Sequence, residues 1–343
     1  MEIKAYVFIF RISHSLMRLQ GISDEDISKF LKYKYGFIAD KIEYLPFGED
    51  GAYYIVHGND KKYFLKIYVK GEIFSKSEKE FRVINNFLYN LRNKFHFTHT
   101  HSPIKNMEKD TVSVFKGMPF ILYEFVGGVN PKKLTRGMYE ELGNIISELH
   151  NLNISYFKGI KEDKFNFSLE NNIYNILKSL EENNFKKRTS SYKLKKLFLE
   201  NNDFILGIIP FLKKESNYIK KRRKAYVITH GDIHKGNILT GKNGTCIIDW
   251  EHLELALPEN DIMWFRDNKH FYYSYVNGLK KSYKPDKRAM KFYIIRKGLN
   301  EFVFFSTSIL YGKNGEKISN KKIKFMKRQF KILKNIFYSQ RFK

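Results

Sequence analysis

His230-Gly231-Asp232-Ile233-His234-Lys235-Gly236-Asn237, with Ile247-Ile248-Asp249-Trp250-Glu251 downstream, is the stretch on which the reading of this chain turns. Asp232, Asn237 and Asp249 bracket a short apolar run, Ile238-Leu239, and a turn containing Gly241 and Gly244. Polar groups of this kind are costly to gather in an apolar setting unless something holds them there. Mg2+ takes hard oxygen ligands, usually one or two protein groups completed by phosphate oxygens and water, and a carboxylate with an amide oxygen supplies that set. Asn237 and Asp249 are therefore the candidate metal ligands. Asp232 is left to orient a hydroxyl and accept its proton, the work of a general base. Thr245-Cys246-Ile247-Ile248 is β-branched and apolar, which predicts Asp249 at the end of a strand, aimed into a cleft. Gly241 and Gly244 predict a hairpin between the two halves. The competing reading is a buried hairpin whose polar residues cluster by accident, since one short motif can arise by chance.

The two halves, in this order, resemble the signature of the aminoglycoside phosphotransferase and choline kinase family, relatives of the protein kinases: His-Gly-Asp, an Asn shortly after, then Ile-Asp-Trp and an acid. The resemblance implies an α+β, bilobal protein-kinase-like fold, with an antiparallel sheet and a main helix in the N-lobe and a mostly helical C-lobe. It also implies ATP as donor, Mg2+ on Asn237 and Asp249, and Asp232 as catalytic base. Such a fold needs a Lys on its third strand to contact nucleotide phosphates and a helix Glu to hold that Lys. Lys61 to Tyr68 reads as a strand in which the Lys66 ammonium, between Leu65 and Ile67, needs a partner, so Lys66 is the phosphate-binding candidate. Ser77 to Leu91 carries Phe81, Ile84, Leu88 and Leu91 at helical spacing, and Glu80 is the expected ion-pair partner. Glu78 is the alternative, and a solvated helix charge the plainer reading of both. Upstream, Leu45 to Val56 looks like the first hairpin of the N-lobe, whose Gly48 and Gly51 would cover the phosphates; two glycines also serve a simple turn.

Met118 to Gly128 is an apolar strand ending in glycines, where the family's hinge falls; Glu124 and Phe125 would meet adenine through their backbones. Met138, Leu142, Ile145, Ile146 and Leu149 repeat at helical spacing up to His150, which is expected to be structural, as is His230 beside the catalytic loop. Asp261 matches a family Asp that braces that loop. Asp249 to Met263 looks most like the spectinomycin-type phosphotransferases, with one extra residue, and the likeness spans roughly residues 22 to 305. That branch implies an aminocyclitol hydroxyl as acceptor. Arg296-Lys297 stands where the branch carries an acid, a departure that weakens recognition of a cationic acceptor. The alternatives are a metabolic kinase for choline, homoserine or a sugar, and a non-catalytic nucleotide- or nucleic-acid-binding protein.

With 343 residues the chain is long enough for two lobes, expected at 22–124 and 125–343 after an extension at 1–21, with Met17 as an alternative start. Apolar runs such as Tyr6 to Phe10 fall well short of the roughly 20 residues that span a bilayer, and neither a membrane span nor a secretory signal is expected. One cysteine, Cys246, suits a reducing, cytoplasmic setting and reads as a small core residue. His96, His99 and His101 could suggest a metal site, although they precede Pro103 in a predicted loop. The net charge of +26 would attract nucleic acid. Lys, Asn, Ile, Phe and Tyr are, however, what an AT-rich genome encodes, and no nucleic-acid module accompanies the charge, so a small hydroxylated molecule is the expected partner. The tail from Lys317 alternates bases with Ile318, Ile323, Phe325, Met326, Phe330, Ile332, Leu333, Ile336 and Phe337, which predicts an amphipathic helix.

Overall fold

The computed structural model describes residues 21–46, 51–68, 76–163, 168–242, 244–312 and 315–339; Gly48 and residues 1–20 of the N-terminal extension, Met17 among them, lie outside these. Helix α1 (Asp24–Tyr35) starts where the sequence predicts. The Ser23 hydroxyl accepts from the Asp26 N–H and the Asp26 carboxylate accepts from the Ser23 N–H, while Asp24, Glu25 and Asp26 sit at the positive end of the helix dipole. Strands β1 (Lys41–Leu45), β2 (Gly51–Gly58) and β3 (Lys61–Tyr68) follow, then helix α2 (Glu78–Asn93), β4 (Ser113–Phe115) and β5 (Met118–Glu124). The five strands form one sheet in the order β1-β2-β3-β5-β4, antiparallel throughout. Alternation along β3 sends Leu65 and Ile67 into a core with Ile27, Leu31, Tyr54, Val56, Phe120 and Leu122, and turns Lys66 to the other face.

Helix α3 (Arg136–His150) is followed by α4 (Ser168–Glu182), α5 (Ser190–Leu199), α6 (Asn202–Lys220) and a short strand β6 (Val227–Thr229). The hairpin β7 (Ile238–Gly241) and β8 (Gly244–Ile247) is paired as its glycines predict, with Ile238 opposite Ile247. Strand β9 (Glu254–Ala256), which pairs with β6, leads to α7 (Glu259–Ile262), α8 (Lys269–Gly278), α9 (Lys287–Leu310) and α10 (Glu316–Tyr338). An antiparallel sheet with helices packed on it and a largely helical remainder is the expected α+β, kinase-like class. No helix among the described residues is long and apolar enough to cross a membrane.

By its contacts the chain divides into two compact units: residues 1–161, 230–253 and 268–279 in the first, and 162–229, 254–267 and 280–343 in the second. The expected lobes at 22–124 and 125–343 follow chain order, whereas contacts group α3, α8 and the 230–253 loop with the sheet. In the first unit α3 lies against α8 so closely that a Cβ on Gly143 would meet the Phe271 carbonyl at 2.6 Å. The second unit has its own core, built around α9 from residues such as Ile205, Leu212, Phe292, Ile295, Phe302, Phe330 and Leu333. The apolar side of α10 enters this core, as the tail's pattern predicts, with the Phe302 and Phe330 rings stacked at 3.9 Å. Arg296 in α9 lies in this unit too, bound to both oxygens of Asp163 at 2.6 and 2.8 Å and to Glu254 at 3.4 Å.

Candidate active site

Lys66 is buried in mid-strand, and its ammonium is held at 2.9 Å by the Asp249 carboxylate and at 2.9 Å by that of Glu251. The Tyr68 hydroxyl, on the same face of β3, donates to the same Glu251 oxygen at 2.7 Å. Tyr53 on β2 and Tyr68 lie within 6 Å of the ammonium, so the cation is flanked by aromatic rings as well as carboxylates. Lys66, Asp249 and Glu251 line a cleft with Phe81, Asn85 and His101. Burial, then the positive charge of Lys66, pushes the His101 imidazole down to about 3, which leaves it neutral at physiological pH. Two acids that no sequence spacing tied to Lys66 thus converge on it, one from each side of Trp250.

The 230–237 segment is pinned from within. The His230 Nε2–H donates to the Ile248 carbonyl at 3.0 Å, so that Nδ1 accepts from the Asp232 N–H at 3.2 Å; this pair of bonds assigns the tautomer. His230 is fully buried against the Trp250 ring, as the structural role expected of it requires. Gly231 has φ 79°, and a Cβ there would run into the His252 carbonyl, so the turn admits only glycine without a shift. The Asn237 amide nitrogen donates to the Asp232 carbonyl at 3.0 Å and lies 3.4 Å from its carboxylate. His234 Nε2 stands 3.4 Å from the same carboxylate while its Nδ1 accepts from the Gly236 N–H at 2.9 Å. Asp232 thereby keeps a narrow exposed edge, with its side chain 17% accessible.

The hairpin carries the second half of the site. Beyond the Ile238–Ile247 pair the Ile248 N–H donates to the Asn237 carbonyl at 2.9 Å, which brings Asn237 beside the residue that precedes Asp249. Asp249 follows the strand, as expected, in a left-handed conformation, φ 70° and ψ 60°, with its side chain 45% exposed. The donor set suits a hard cation. Because the Asn237 nitrogen is spent on Asp232, its amide oxygen is the group that remains, together with the accessible Asp249 carboxylate.

Not every expected residue joins this group. Glu80 does not pair with Lys66: as the third residue of α2 it accepts from the N–H and hydroxyl of Ser77, and its ion-pair partner is Lys161. Burial pushes its carboxyl up, but the Lys161 ammonium and the two Ser77 donors outweigh that and hold it at about 2. The alternative, Glu78, pairs with Arg82 one turn along the helix. Gly51 opens β2, and a Cβ there would strike the Ile67 carbonyl across the sheet, so sheet packing already explains that glycine. Glu124 ends β5 with its N–H donating to the Ser102 carbonyl at 2.9 Å, and Phe125 follows, 38% exposed. His150 Nδ1 and the Tyr275 hydroxyl share a buried hydrogen bond at 2.9 Å. His99 bonds the Thr245 carbonyl and His101 packs on Tyr123, so the histidines before Pro103 are not a metal cluster. Burial raises the Cys246 thiol to about 12, which makes it the inert core residue expected.

Sequence reasoning missed two braces of the loop. The Asn130 amide donates to the carbonyls of Gly236 and Ile238 at 2.7 and 2.8 Å, and Glu141 accepts from the N–H and hydroxyl of Thr245. Neither leaves a spacing signal, because each reaches more than a hundred residues along the chain. His234 and Glu251, by contrast, lie inside the stretch first quoted and had been given no role.

The chain resembles several solved structures. Over 93% of this chain and 99% of the other it superposes on a spectinomycin phosphotransferase in complex with ADP and spectinomycin, with a TM-score of 0.76 at 20% identity. A microcompartment-associated aminopropanol kinase matches over 92% of this chain and 98% of its own, with a TM-score of 0.62 at 14% identity. The choline kinase of Cryptosporidium parvum Iowa II matches over 91% and 97%, with a TM-score of 0.53 at 14% identity. No curated protein sequence matches significantly. The phosphotransferase enzyme family (APH) matches residues 41–293, which take in Lys66, the 230–237 loop and the β7–β8 hairpin, and the chain belongs to that family.

Proposed function

We propose that this phosphotransferase moves the γ-phosphoryl group of ATP, as its Mg2+ complex, to a hydroxyl of an aminocyclitol-like small molecule of the spectinomycin type. The observation that carries the reading is a buried strand lysine paired with the Asp249 carboxylate in one cleft, with the braced loop of Asp232 tied to the residue before Asp249 by the Ile248–Asn237 backbone bond. Asp232 accepts the acceptor hydroxyl's proton as the new O–P bond forms and the bond from the γ-phosphorus to the β-phosphate oxygen breaks. Lys66 contacts the nucleotide phosphates, and bound Mg2+, held by Asn237 and Asp249, would neutralise the charge that develops there. Positioning supplies much of the rate in such a reaction, which is why the 230–237 segment has so many internal bonds.

The test is transfer from Mg2+-ATP to a mixed panel of spectinomycin, other aminoglycosides, choline, aminopropanol, homoserine and sugars, read by mass spectrometry with Asp232→Ala as control. Gain of one phosphoryl group by spectinomycin alone makes this a resistance-type enzyme. Gain by an amino alcohol or sugar alone would replace the acceptor with a metabolite. Absence of ATP binding would sink the whole proposal.

A further inference from the structure

The last segment of the second unit, residues 280–343, departs from the charge balance of the rest of the chain. Residues 1–279 hold 43 Lys and Arg against 33 Asp and Glu, while residues 280–343 hold 19 against 3. An AT-rich codon bias acts on both stretches alike and so does not account for the difference between them. The three acids are Asp286, Glu301 and Glu316. Asp286 is engaged by Arg222 and Tyr218, and Glu316 accepts from the N–H and hydroxyl of Ser190.

Helix α10 concentrates the excess. Lys317, Lys321, Lys324, Arg328 and Lys331 recur at intervals of four, three, four and three, which puts them on one exposed line of the helix, flanked by Lys327. At 1.5 Å per residue the line runs for about 21 Å. None of these six cations makes an ion pair or side-chain hydrogen bond with a described residue. Other helices of this chain answer an exposed base with an acid one turn away, as in Lys29–Glu25, Arg82–Glu78, Arg136–Glu140, Lys178–Glu182 and Lys196–Glu200. On α10 the neighbours at that spacing are further bases, an arrangement that repels itself until an anion covers it.

We propose that this face of α10 docks double-stranded nucleic acid through its phosphates, without reading sequence. A lipid surface fits less well, because a helix lying on a bilayer inserts its apolar side, and here Phe325, Met326, Phe330, Leu333 and Ile336 are already committed to the protein core. A single strand would need aromatic platforms for its bases, and between Lys317 and Lys331 the helix exposes none. A linear row of cations on a rigid rod matches the evenly charged backbone of a duplex.

Fluorescence anisotropy of the full chain with a labelled mixed-sequence RNA duplex of about two helical turns tests this between about 50 and 200 mM salt. Five phosphates neutralised predict a slope of about −4.5 in log affinity against log salt, a weakening of a few hundredfold over that range. The variant Lys321→Gln/Lys324→Gln/Arg328→Gln/Lys331→Gln should bind at least tenfold more weakly at low salt, with a slope near −1, and should keep wild-type phosphate transfer. Lys220→Gln/Lys221→Gln/Lys224→Gln, which removes a basic run elsewhere, should bind as wild type. Absence of duplex binding at low salt, an unchanged slope in the α10 variant, loss confined to the second variant, or stripe-dependent binding to phosphatidylserine vesicles in place of the duplex would each overturn the proposal.

Discussion

Asp249 occupies a left-handed backbone conformation that costs an ordinary residue about 1–3 kcal/mol and that Asn tolerates far better than a β-branched side chain. The site therefore stores strain at the residue whose carboxylate holds Lys66 and is the proposed metal ligand. Two substitutions separate strain from chemistry. Asp249→Asn should melt within a few degrees of wild type yet lose Mg2+-nucleotide binding by isothermal titration, whereas Asp249→Val should lose both, with an added destabilisation of about 1–3 kcal/mol. Equal nucleotide affinity in Asp249→Asn would refute the metal assignment. Asp232→Asn should spare nucleotide affinity and lower kcat about 10²- to 10⁴-fold, since a general base acts only in the transfer step. At Glu80 the structure leads to the opposite expectation from the sequence: Glu80→Gln should leave the KM for ATP near wild type, because the Lys66 ammonium rests on Asp249 and Glu251. A tenfold rise in that KM would mean that Glu80 leaves Ser77 and Lys161 to hold Lys66 when nucleotide binds.

What Glu80 does is written in α2 as an element. Ser77-Glu78-Lys79-Glu80 is a capping box, the same pattern that Ser23 and Asp26 make at α1, and a carboxylate at the third position of a helix reaches back to the cap more readily than across to a strand. Ser77→Ala should cost about 1 kcal/mol in chemical denaturation. The elements themselves were legible because each carries its own periodicity: Phe81, Ile84, Leu88 and Leu91 are buried along α2, and Asp249 follows β8 as its β-branched run predicts. Asn130 and Glu141 were not legible, since a hydrogen bond between distant segments leaves no local pattern. Gly51 read as a phosphate turn because sequence does not distinguish a glycine that frees a loop from one that lets two strands approach. In the second unit, burial raises the Glu254 carboxyl to about 7; the Arg296 guanidinium opposes that rise, while Asp163 and Asp261 add to it. A carboxyl whose folded pKa lies above its unfolded value of 4.5 contributes stability in full below 4.5, and that contribution is lost as pH rises through 7. The urea midpoint of wild type should accordingly fall between pH 5 and 8 relative to Glu254→Gln, which lacks the titrating group. Parallel profiles for the two proteins would place the pH dependence elsewhere.

Taken whole, the molecule separates its chemistry from much of its mass. The candidates Gly51, Lys66, Glu80, Glu124, Phe125, Asp232, Asn237 and Asp249 belong to the first compact unit, although the chain passes into the second unit three times, and only Asp261 of the residues tied to the catalytic loop falls there. A boundary after residue 124 follows the end of the sheet in chain order, while contacts place α3 with α8, and the 230–253 loop with the strands, in the first unit. Ligand that binds only the native state stabilises whatever unfolds with its site, by about 2.7 kcal/mol at a hundred times its Kd. Amide exchange with and without saturating Mg2+-ADP should therefore slow about a hundredfold in β3, β5 and residues 230–253. Helices α5, α6 and α10, which make a core of their own with α9, should exchange at unchanged rates under conditions where opening is local. Equal protection across both units would show that they open as one cooperative body. Protection confined to α10 would place the nucleotide on its basic face, at the phosphate-attracting stripe, and remove it from the Lys66 cleft.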